Sequence, residues 1–436
     1  MKIGIIGAGA TGMAAAWDLV NAGHEVTLYE AESRVGGLAG GFKDEGWEWW
    51  LEKFYHHWFE TDKEILRLAE EMGVREQIMF PRPKTSYWMN GKIIRSEITP
   101  MSALSLPLPL LSKPRFLLGG AFLKLTPSWE SLEGSTADEW MQRYMGEAGY
   151  DKFFKPLLIG KFGEEYDRVN MAWMWARVKT RSVRLGIFQG GFQAFLDTLA
   201  AALTQRGATI RLSTPVERIG YDGTSATLHV DGETLIYDRI LATTSPKLLL
   251  KLAPQLGNTN YGDTVADLRS IGGLCVVVAL KQQLLTDGTY WLSLPATSPD
   301  KKKNRFPFLA LVEHTNWMDK AHYGGDHLIY CGDYAPANHE YFRMNEDELT
   351  ERFVETLPNF NRDFKPEWIR KTWVFRAPYA QPIPYRNQSE RIPALETPLP
   401  GVYWASMSQV YPYDRGTNYS VEMGRRVAGM MMGSPK

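Results

Sequence analysis

The chain opens with two alternating hydrophobic periods. Residues 2–6, Lys-Ile-Gly-Ile-Ile, form a short apolar run of the buried-strand kind. Residues 13–20, Met-Ala-Ala-Ala-Trp-Asp-Leu-Val, are strong helix formers, and Asn21-Ala22-Gly23 is a stop signal. His24 to Tyr29 returns to a strand pattern and ends at Glu30. A similar unit recurs mid-chain: a helix over Gln193–Gln205, a stop at Gly207 and a strand over Ala208–Leu212. Two alternating segments follow, Ala226–Val230 and Glu233–Ile236, split by the hairpin signal Asp231-Gly232. The stretch from Asp238 to Thr244 reads as one more strand. Near the C-terminus the pattern predicts a strand over Gly401–Ser406 and a helix from about Asn418 to Met431. Buried strands are expected at Ile271–Leu280, Ala310–Thr315 and Leu328–Cys331. Asp62–Met72 has helical spacing, and Thr136 with Glu139 forms a capping-box pattern.

Length and composition narrow the picture. A chain of 436 residues exceeds one ordinary core, so two domains are expected. Fifteen tryptophans and twenty tyrosines suggest ring-lined cavities as well as core. A formal net charge of −1 gives no electrostatic case for nucleic acid. The two cysteines, Cys275 and Cys331, cannot build a disulfide framework. The chain starts directly on a strand, without a secretory signal pattern or an uninterrupted apolar stretch of spanning length. A cytoplasmic location is therefore expected. Residues 100–125 mix Leu, Pro and Phe, and prolines 107, 109 and 114 argue against a long helix there. Such a stretch reads as core, as a mouth for an apolar substrate, or as a peripheral membrane contact.

The chemistry begins at Gly7-Ala8-Gly9-Ala10-Thr11-Gly12, set between strand and helix. Strand, glycine turn, helix, strand and acid together form a dinucleotide-binding unit. Gly7 permits the turn, Gly9 lets backbone approach a pyrophosphate, and Gly12 lets the helix pack on the sheet. The helix start offers N–H groups and partial positive charge to phosphate. Glu30 can accept hydrogen bonds from both ribose hydroxyls and would repel a 2′-phosphate. After it comes Ala31-Glu-Ser-Arg34-Val-Gly36-Gly37-Leu38-Ala-Gly40-Gly41, whose paired glycines mark a loop needing close approach.

This acid, arginine and Gly-Gly succession resembles the superfamily of FAD-dependent amine oxidases, protoporphyrinogen oxidases and phytoene desaturases. The resemblance implies an α/β fold: a discontinuous Rossmann-type FAD-binding domain plus an α+β substrate domain with a mainly antiparallel sheet and a helical insert. The expected cofactor domain is 1–43, 186–250 and 391–436; the expected substrate domain is 44–185 and 251–390. The implied FAD contacts are Gly7, Gly9, Ala10, Thr11, Gly12, Glu30, Ala31, Arg34, Gly36, Gly37, Leu38, Val216, Thr243, Ser406, Gly416, Asn418 and Tyr419. Arg34 would meet the phosphate or ribityl region, and Val216 would pair its backbone with adenine. The chain departs from the family at Ala405-Ser406-Met407, where Ala-Gly-Asp is usual. The loop Tyr411–Asn418 is a candidate for the missing polar contacts, with Asp414 and Arg415 read equally as a surface pair. Covalent attachment in related oxidases uses a cysteine near this segment; neither cysteine lies there, so non-covalent FAD is expected.

Trp47-Glu-Trp-Trp-Leu-Glu52-Lys53-Phe-Tyr-His56-His57-Trp58 is the most unusual stretch. His56, His57, Lys53 and Glu52 are candidates for proton handling. Lys161 and Lys53 are candidates for a lysine near flavin N5, and Tyr411 for a catalytic or cavity-wall ring. No metal site is expected, because adjacent histidines point to different faces and no further ligand set is visible. The reading is hydride transfer from a C–H bond of a small organic substrate, such as an amine, a ring or an apolar, lipid-like molecule, to flavin N5. A redox-neutral enzyme resembling UDP-galactopyranose mutase is the alternative; it needs arginines for a diphosphate, with Arg177, Arg181, Arg184 and Arg305 as candidates. A flavin-binding protein without turnover is the third class.

Overall fold

The computed structural model describes residues 1–95 and 108–433. Five parallel strands form one sheet, in the order Thr209–Arg211, Glu25–Tyr29, Lys2–Ile6, Arg239–Ala242, Val402–Trp404. The strands thus come from the start, middle and end of the chain. Ile6 pairs with Tyr29 and with Ala242, and Ala242 pairs with Trp404. This register places the next residues, Gly7, Glu30, Thr243 and Ala405, in one row at the carboxyl edge. Ligands of open parallel sheets bind outside that edge.

Helix Ala10–Asn21 packs on this sheet through Met13, Ala14, Ala15, Ala16, Trp17 and Leu19, all buried. Its alanine-rich face also allows helix Thr417–Met431 to approach closely. A Cβ on Gly424 would lie 2.4 Å from the Thr11 carbonyl oxygen, so only glycine fits there. Arg425 ties these two helices to a third, Lys63–Glu71, by pairing with Asp18 at 3.1 Å and Glu71 at 2.8 Å. The hairpin after Val216 joins a three-stranded antiparallel sheet, Val216–Tyr221, Ala226–Val230 and Glu233–Tyr237.

The second large sheet has seven strands. Ser270–Leu280 lies between His327–Ala335 and Ile369–Pro382, antiparallel to both. Ala310–Glu313, Thr289–Ser293, Lys84–Met89 and Lys92–Arg95 continue it, with one parallel pair, Thr289–Ser293 beside Lys84–Met89. Ser270–Leu280 is apolar on both faces because both are covered. Leu274, Val276, Val278 and Leu280 meet Leu349 and Phe353 of helix Glu346–Val354. Cys275, Val277 and Ala279 share a core with Ile3, Ile5, Leu28 and Leu241 of the parallel sheet. The two sheets therefore enclose one continuous interior.

Helices between residues 112 and 180 form a third packed unit around Phe116, Met141, Tyr150, Phe162, Trp173 and Trp175. The capping box at Thr136 and Glu139 is present. The prolines did not prevent a helix at Ser112–Leu125: Pro114 is its third residue, where an N–H has no intrahelical acceptor to lose. Of the expected apolar mouth, 100–107 lies outside the described residues. The remainder exposes Leu110, Leu111, Leu118, Phe122 and Leu125 while burying Leu108, Phe116 and Leu123. No helix among the described residues is long and apolar enough to cross a membrane.

Candidate active site

The carboxyl edge of the parallel sheet carries a cradle built of glycine. A Cβ on Gly12 would lie 2.1 Å from the Gly7 carbonyl oxygen, so the turn closes only without one. A Cβ on Gly9 would meet nothing within 4 Å. That position faces open space at the start of helix Ala10–Asn21, where backbone N–H groups lack intrahelical partners. The Gly36-Gly37 loop lies beside it. The Gly36 N–H donates to the Ala8 carbonyl at 2.9 Å, and Gly9 and Gly36 form a parallel bridge. Glu30 is buried and accepts from the Ala8 and Glu32 N–H groups at 2.8 and 3.0 Å, which fixes both carboxylate oxygens at the strand tip. Thr214 N–H donates to the Glu30 carbonyl, bringing the Val216 hairpin to the same edge. Thr243 donates to the Ile6 carbonyl at 2.8 Å, and the neighbouring Thr244 hydroxyl oxygen is buried without a partner. An open cradle, fixed acceptors and an unspent hydroxyl fit an adenine dinucleotide such as FAD.

Other expected cofactor contacts are differently engaged. The Arg34 guanidinium stands over the Trp50 ring at 4.8 Å from its centre, on the exposed side of the loop that also carries Ala31 and the 40% exposed Leu38. The Ser406 hydroxyl bonds the Tyr379 hydroxyl at 2.9 Å and caps the turn Met407–Gln409, so neither it nor Met407 stands in for the family's acid. The Asn418 side-chain oxygen accepts from the Glu64 and Ile65 N–H groups at 2.9 and 3.2 Å, capping helix Lys63–Glu71. Gly416 precedes helix Thr417–Met431, and Tyr419 stacks on Tyr413 with centroids 4.8 Å apart. Thr417 accepts from the Trp58 indole N–H at 2.6 Å, and Ala10, Trp58, Phe192 and Thr417 border one narrow apolar gap.

The aromatic stretch runs between the two sheets. Trp47, Trp49 and Trp58 are core, and the Glu52 carboxylate receives the Phe192 N–H at 2.8 Å, holding the start of helix Phe192–Gln205. Burial pushes Glu52 up to about 7. Lys53 is half-buried, its N–H bonded to the Gly40 carbonyl at 3.2 Å. Tyr55 lies flat against strand His327–Ala335, where Gly332 leaves room; a Cβ there would come within 2.3 Å of the ring.

His56 and His57 do not titrate near neutral pH. Burial lowers them to about 4 and about 3, and the Arg415 and Arg181 charges add to the shift. Both are neutral imidazoles at pH 7. The His56 Nδ1 bonds the Phe54 carbonyl at 2.5 Å, whereas the His57 Nδ1 is buried without a partner. Tyr411 is not poised for chemistry either. Its hydroxyl donates to Glu133 at 2.9 Å and accepts from Asn170 at 2.8 Å, inside the helical unit.

Lys161 is buried rather than solvated, with its ammonium 3.0 Å from the Asp414 carboxylate. Asp414 and Arg415 are not a surface pair. Arg177, Arg415 and Arg181 also surround Asp414, at 2.5, 3.6 and 3.8 Å. Burial alone would raise Asp414, but the four cations outweigh it and hold the carboxylate far below its usual range. Burial, with the neighbouring arginines, pulls Lys161 well down; Asp414 only partly opposes this. Arg184 is exposed and Arg305 bonds Asn359 at 2.9 Å, so neither joins the group. Among the described residues no set of three metal-ligating side chains occurs.

The Arg181 side chain is 45% accessible and Tyr87 38%, and each lies within reach of the other's charge. The two border one partly open cleft beside Asp414. The Arg181 guanidinium sits 5.9 Å from the Phe59 ring centre, and Phe59 packs edge-on against His57. His57 in turn approaches Trp291, as does Tyr55. Arg415 bonds the Tyr334 hydroxyl at 2.7 Å and its charge reaches Tyr55. The sequence pattern left Tyr55, Tyr87, Tyr334 and Trp173 unremarked as site residues; only the glycine in the strand opposite Tyr55 hinted at a ring lying there.

A dinucleotide cradle on a three-segment parallel sheet, with a cluster of aromatic rings against a second sheet, defines a two-sheet flavoprotein. The chain belongs to the family of flavin containing amine oxidoreductases, which matches residues 10–432. The mitochondrial protoporphyrinogen oxidase of Nicotiana tabacum is 27% identical over 180 residues, 39% of this chain and 34% of that protein. The aligned region thus spans about a third of this relative's length. A crystal structure carrying the provisional name protoporphyrinogen oxidase, from Exiguobacterium sp. 255-15, superposes with TM-score 0.78 at 18% identity over 99% of both chains. Reduced UDP-galactopyranose mutase superposes with TM-score 0.75 at 18% identity over 99% of this chain and 94% of its own. At these identities the two structures establish the fold.

Proposed function

We propose that the protein is an oxidoreductase using non-covalently held FAD to oxidise a C–H bond of a small organic substrate. Segments 1–43, 186–250 and 391–436 would hold the cofactor, and 44–185 and 251–390 the substrate. The observation that carries the reading is the row Gly7, Glu30 and Thr243 beside the open space at Gly9. Bound flavin supplies a two-electron acceptor for hydride at N5. The chain supplies the enclosure. Tyr55, Tyr87, Phe59 and Trp291 exclude water and present flat walls to the substrate. His57, neutral and with an unpartnered Nδ1, can hydrogen-bond a substrate hydroxyl or amine and orient it. Burial and the Arg181 charge disfavour its protonation, so the proton released as the C–H bond breaks passes to solvent.

The gathering of Arg177 and Arg181 favours one second reading, a redox-neutral mutase that clamps a diphosphate. Anaerobic photoreduction of the purified yellow protein separates the two. An oxidoreductase is expected to lose its oxidised flavin spectrum on mixing with substrate candidates and regain it with oxygen or another acceptor. A mutase shows turnover only after reduction and no net bleaching by its substrate. A colourless protein that takes up no FAD would sink both.

A further inference from the structure

The cavity is charged in a way the family's name does not suggest. The chain as a whole carries a formal net charge of −1. Around Asp414, however, four cations from three separate stretches of chain, Lys161, Arg177, Arg181 and Arg415, share one carboxylate. The strongest charge influences on Lys161, Arg181 and Arg415 include no carboxylate other than Asp414. The nearby Asp333 is committed to Lys301 at 2.9 Å. The cluster therefore keeps an excess of positive charge on partly buried side chains, where charge is screened less than at a free surface.

The four cations are unequally engaged. Arg177 bonds Asp414 at 2.5 Å and lies 4.8 Å from the Trp173 ring centre. Lys161 bonds Asp414 and lies between the Trp173 and Tyr334 rings, 5.1 and 5.4 Å from their centres. Arg415 gives its N–H groups to the Tyr334 hydroxyl and the Ala380 carbonyl. Arg181 stands 3.8 Å from Asp414, beyond hydrogen-bond reach, and its side chain is 45% accessible. A second unspent donor lies in the same cluster: Trp173 is only 2% exposed, and its indole N–H has no partner. A buried donor left unpaired is costly, and the partly accessible Arg181 guanidinium is the group best shaped to bind a carboxylate or phosphate.

We propose that the cavity takes the anionic end, carboxylate or phosphate, of a ring-bearing or otherwise apolar substrate, with Arg181 as its direct ligand. Arg177 and Lys161 supply the supporting charge, and Asp414 holds the cluster together without neutralising it. The proposal rests on the reading of this cavity as the substrate site, and it narrows the substrate class. An ammonium group would enter against the excess positive charge, so a simple amine is the disfavoured substrate.

The test is a binding titration of the oxidised holoprotein, followed by perturbation of the flavin spectrum. The probes are benzoate, phenyl phosphate and benzylamine, which share a ring and differ in the charged end. At least one of the two anions is expected to bind saturably, more weakly as salt rises, and whichever binds tighter identifies the oxyanion. Arg181→Gln should weaken that anion roughly tenfold or more, whereas Arg181→Lys should retain part of the affinity. Both variants should keep the parent's flavin content, because Arg181 lies beyond hydrogen-bond reach of Asp414 and holds no element in place. Tighter binding of benzylamine than of either anion, or unchanged anion affinity in Arg181→Gln, overturns the proposal. Because the readout is binding to oxidised protein, it is separate from turnover. Anion binding without reduction by any C–H donor would sink only the oxidoreductase reading, and reduction by amines with blindness to anions would sink only this one.

Discussion

Gly9 and Gly12 stand three residues apart in one turn and answer to different demands. Gly12 is required by the protein itself, since a Cβ would sit 2.1 Å from the Gly7 carbonyl oxygen, a backbone atom that cannot step aside. Gly9 is required by the ligand, since a Cβ there meets no protein atom within 4 Å and its φ of −80° suits any residue. Gly12→Ala is therefore expected to destabilise the apoprotein by about 1–3 kcal/mol or more. Gly9→Ala should leave apoprotein unfolding unchanged and lower FAD retention at least tenfold, because the added methyl occupies the pyrophosphate's approach. Denaturant unfolding of stripped protein and the flavin absorbance of reconstituted protein check the pair. Equal retention of FAD by parent and Gly9→Ala would contradict the placement of the cradle. These roles were legible in the sequence because glycine spacing is local. The Asp414 cluster was not, because Lys161 and Arg177 lie more than two hundred residues from their carboxylate. Nor could spacing show that His56 and His57 are desolvated, which removes the titration that makes histidine attractive as a candidate.

At the scale of elements, helix Lys63–Glu71 has an unusual start. Asp62 stands at its N-cap position but gives its carboxylate to the Phe59 N–H at 2.9 Å, not to the helix. The helix instead borrows the Asn418 side chain from the start of the C-terminal helix. Asn418→Ala should cost about 1 kcal/mol of stability, the usual worth of such a cap, and Asn418→Asp should restore most of it. Chemical denaturation with saturating FAD would measure both. A null effect of Asn418→Ala would mean that water replaces the cap. The strand and helix pattern was readable for elements with strong periodicity: Lys2–Ile6, Ala226–Val230 and Ser270–Leu280 fall where alternation or apolar runs placed them. Helix Ser112–Leu125 was obscured because proline was weighed as a breaker without regard to its position in the first turn. The capping role of Asn418 was hidden because its partner helix belongs to an element far away in sequence.

For the whole molecule, the interior shared by the two sheets sets the response to pH. Glu52 lies in that interior, 1% exposed, and burial raises it from its ordinary 4.5 to about 7. A carboxyl whose folded pKa is raised contributes stability below its unfolded pKa, and that contribution is lost as pH rises through the folded value. The cost of ionising Glu52 therefore grows between about pH 4.5 and 7 and is complete above it, reaching about 3 kcal/mol. Glu313, also raised to about 7 by burial, acts in the same direction. His56 and His57, lowered by burial, act oppositely and cost stability as pH falls from 6.5 toward their folded values. Glu52→Gln should flatten the decline above pH 4.5, so its stability relative to the parent rises by up to about 3 kcal/mol between pH 4.5 and 8. Unfolding at several pH values checks this, and parallel curves for parent and variant would refute it. The order of segments along the chain was visible from the first glycine turn and its later echoes. The joining of both sheets through Cys275, Val277 and Ala279 was not, since an apolar strand does not announce what covers each face.

The parallel sheet has one further consequence, for the birth of the protein on the ribosome. Its edge strand, Val402–Trp404, pairs with Arg239–Ala242, which itself pairs with Lys2–Ile6. Strands Lys2–Ile6 and Glu25–Tyr29 emerge first and can pair at once, but the last strand follows them by on the order of twenty seconds to a minute of translation. During that interval the nascent chain presents an unpaired sheet edge and an unfinished cofactor cradle. Flavin capture is thus a late event in the life of the chain. A ribosome that stalls anywhere before the final strand releases a product whose exposed edge invites chaperones and proteases.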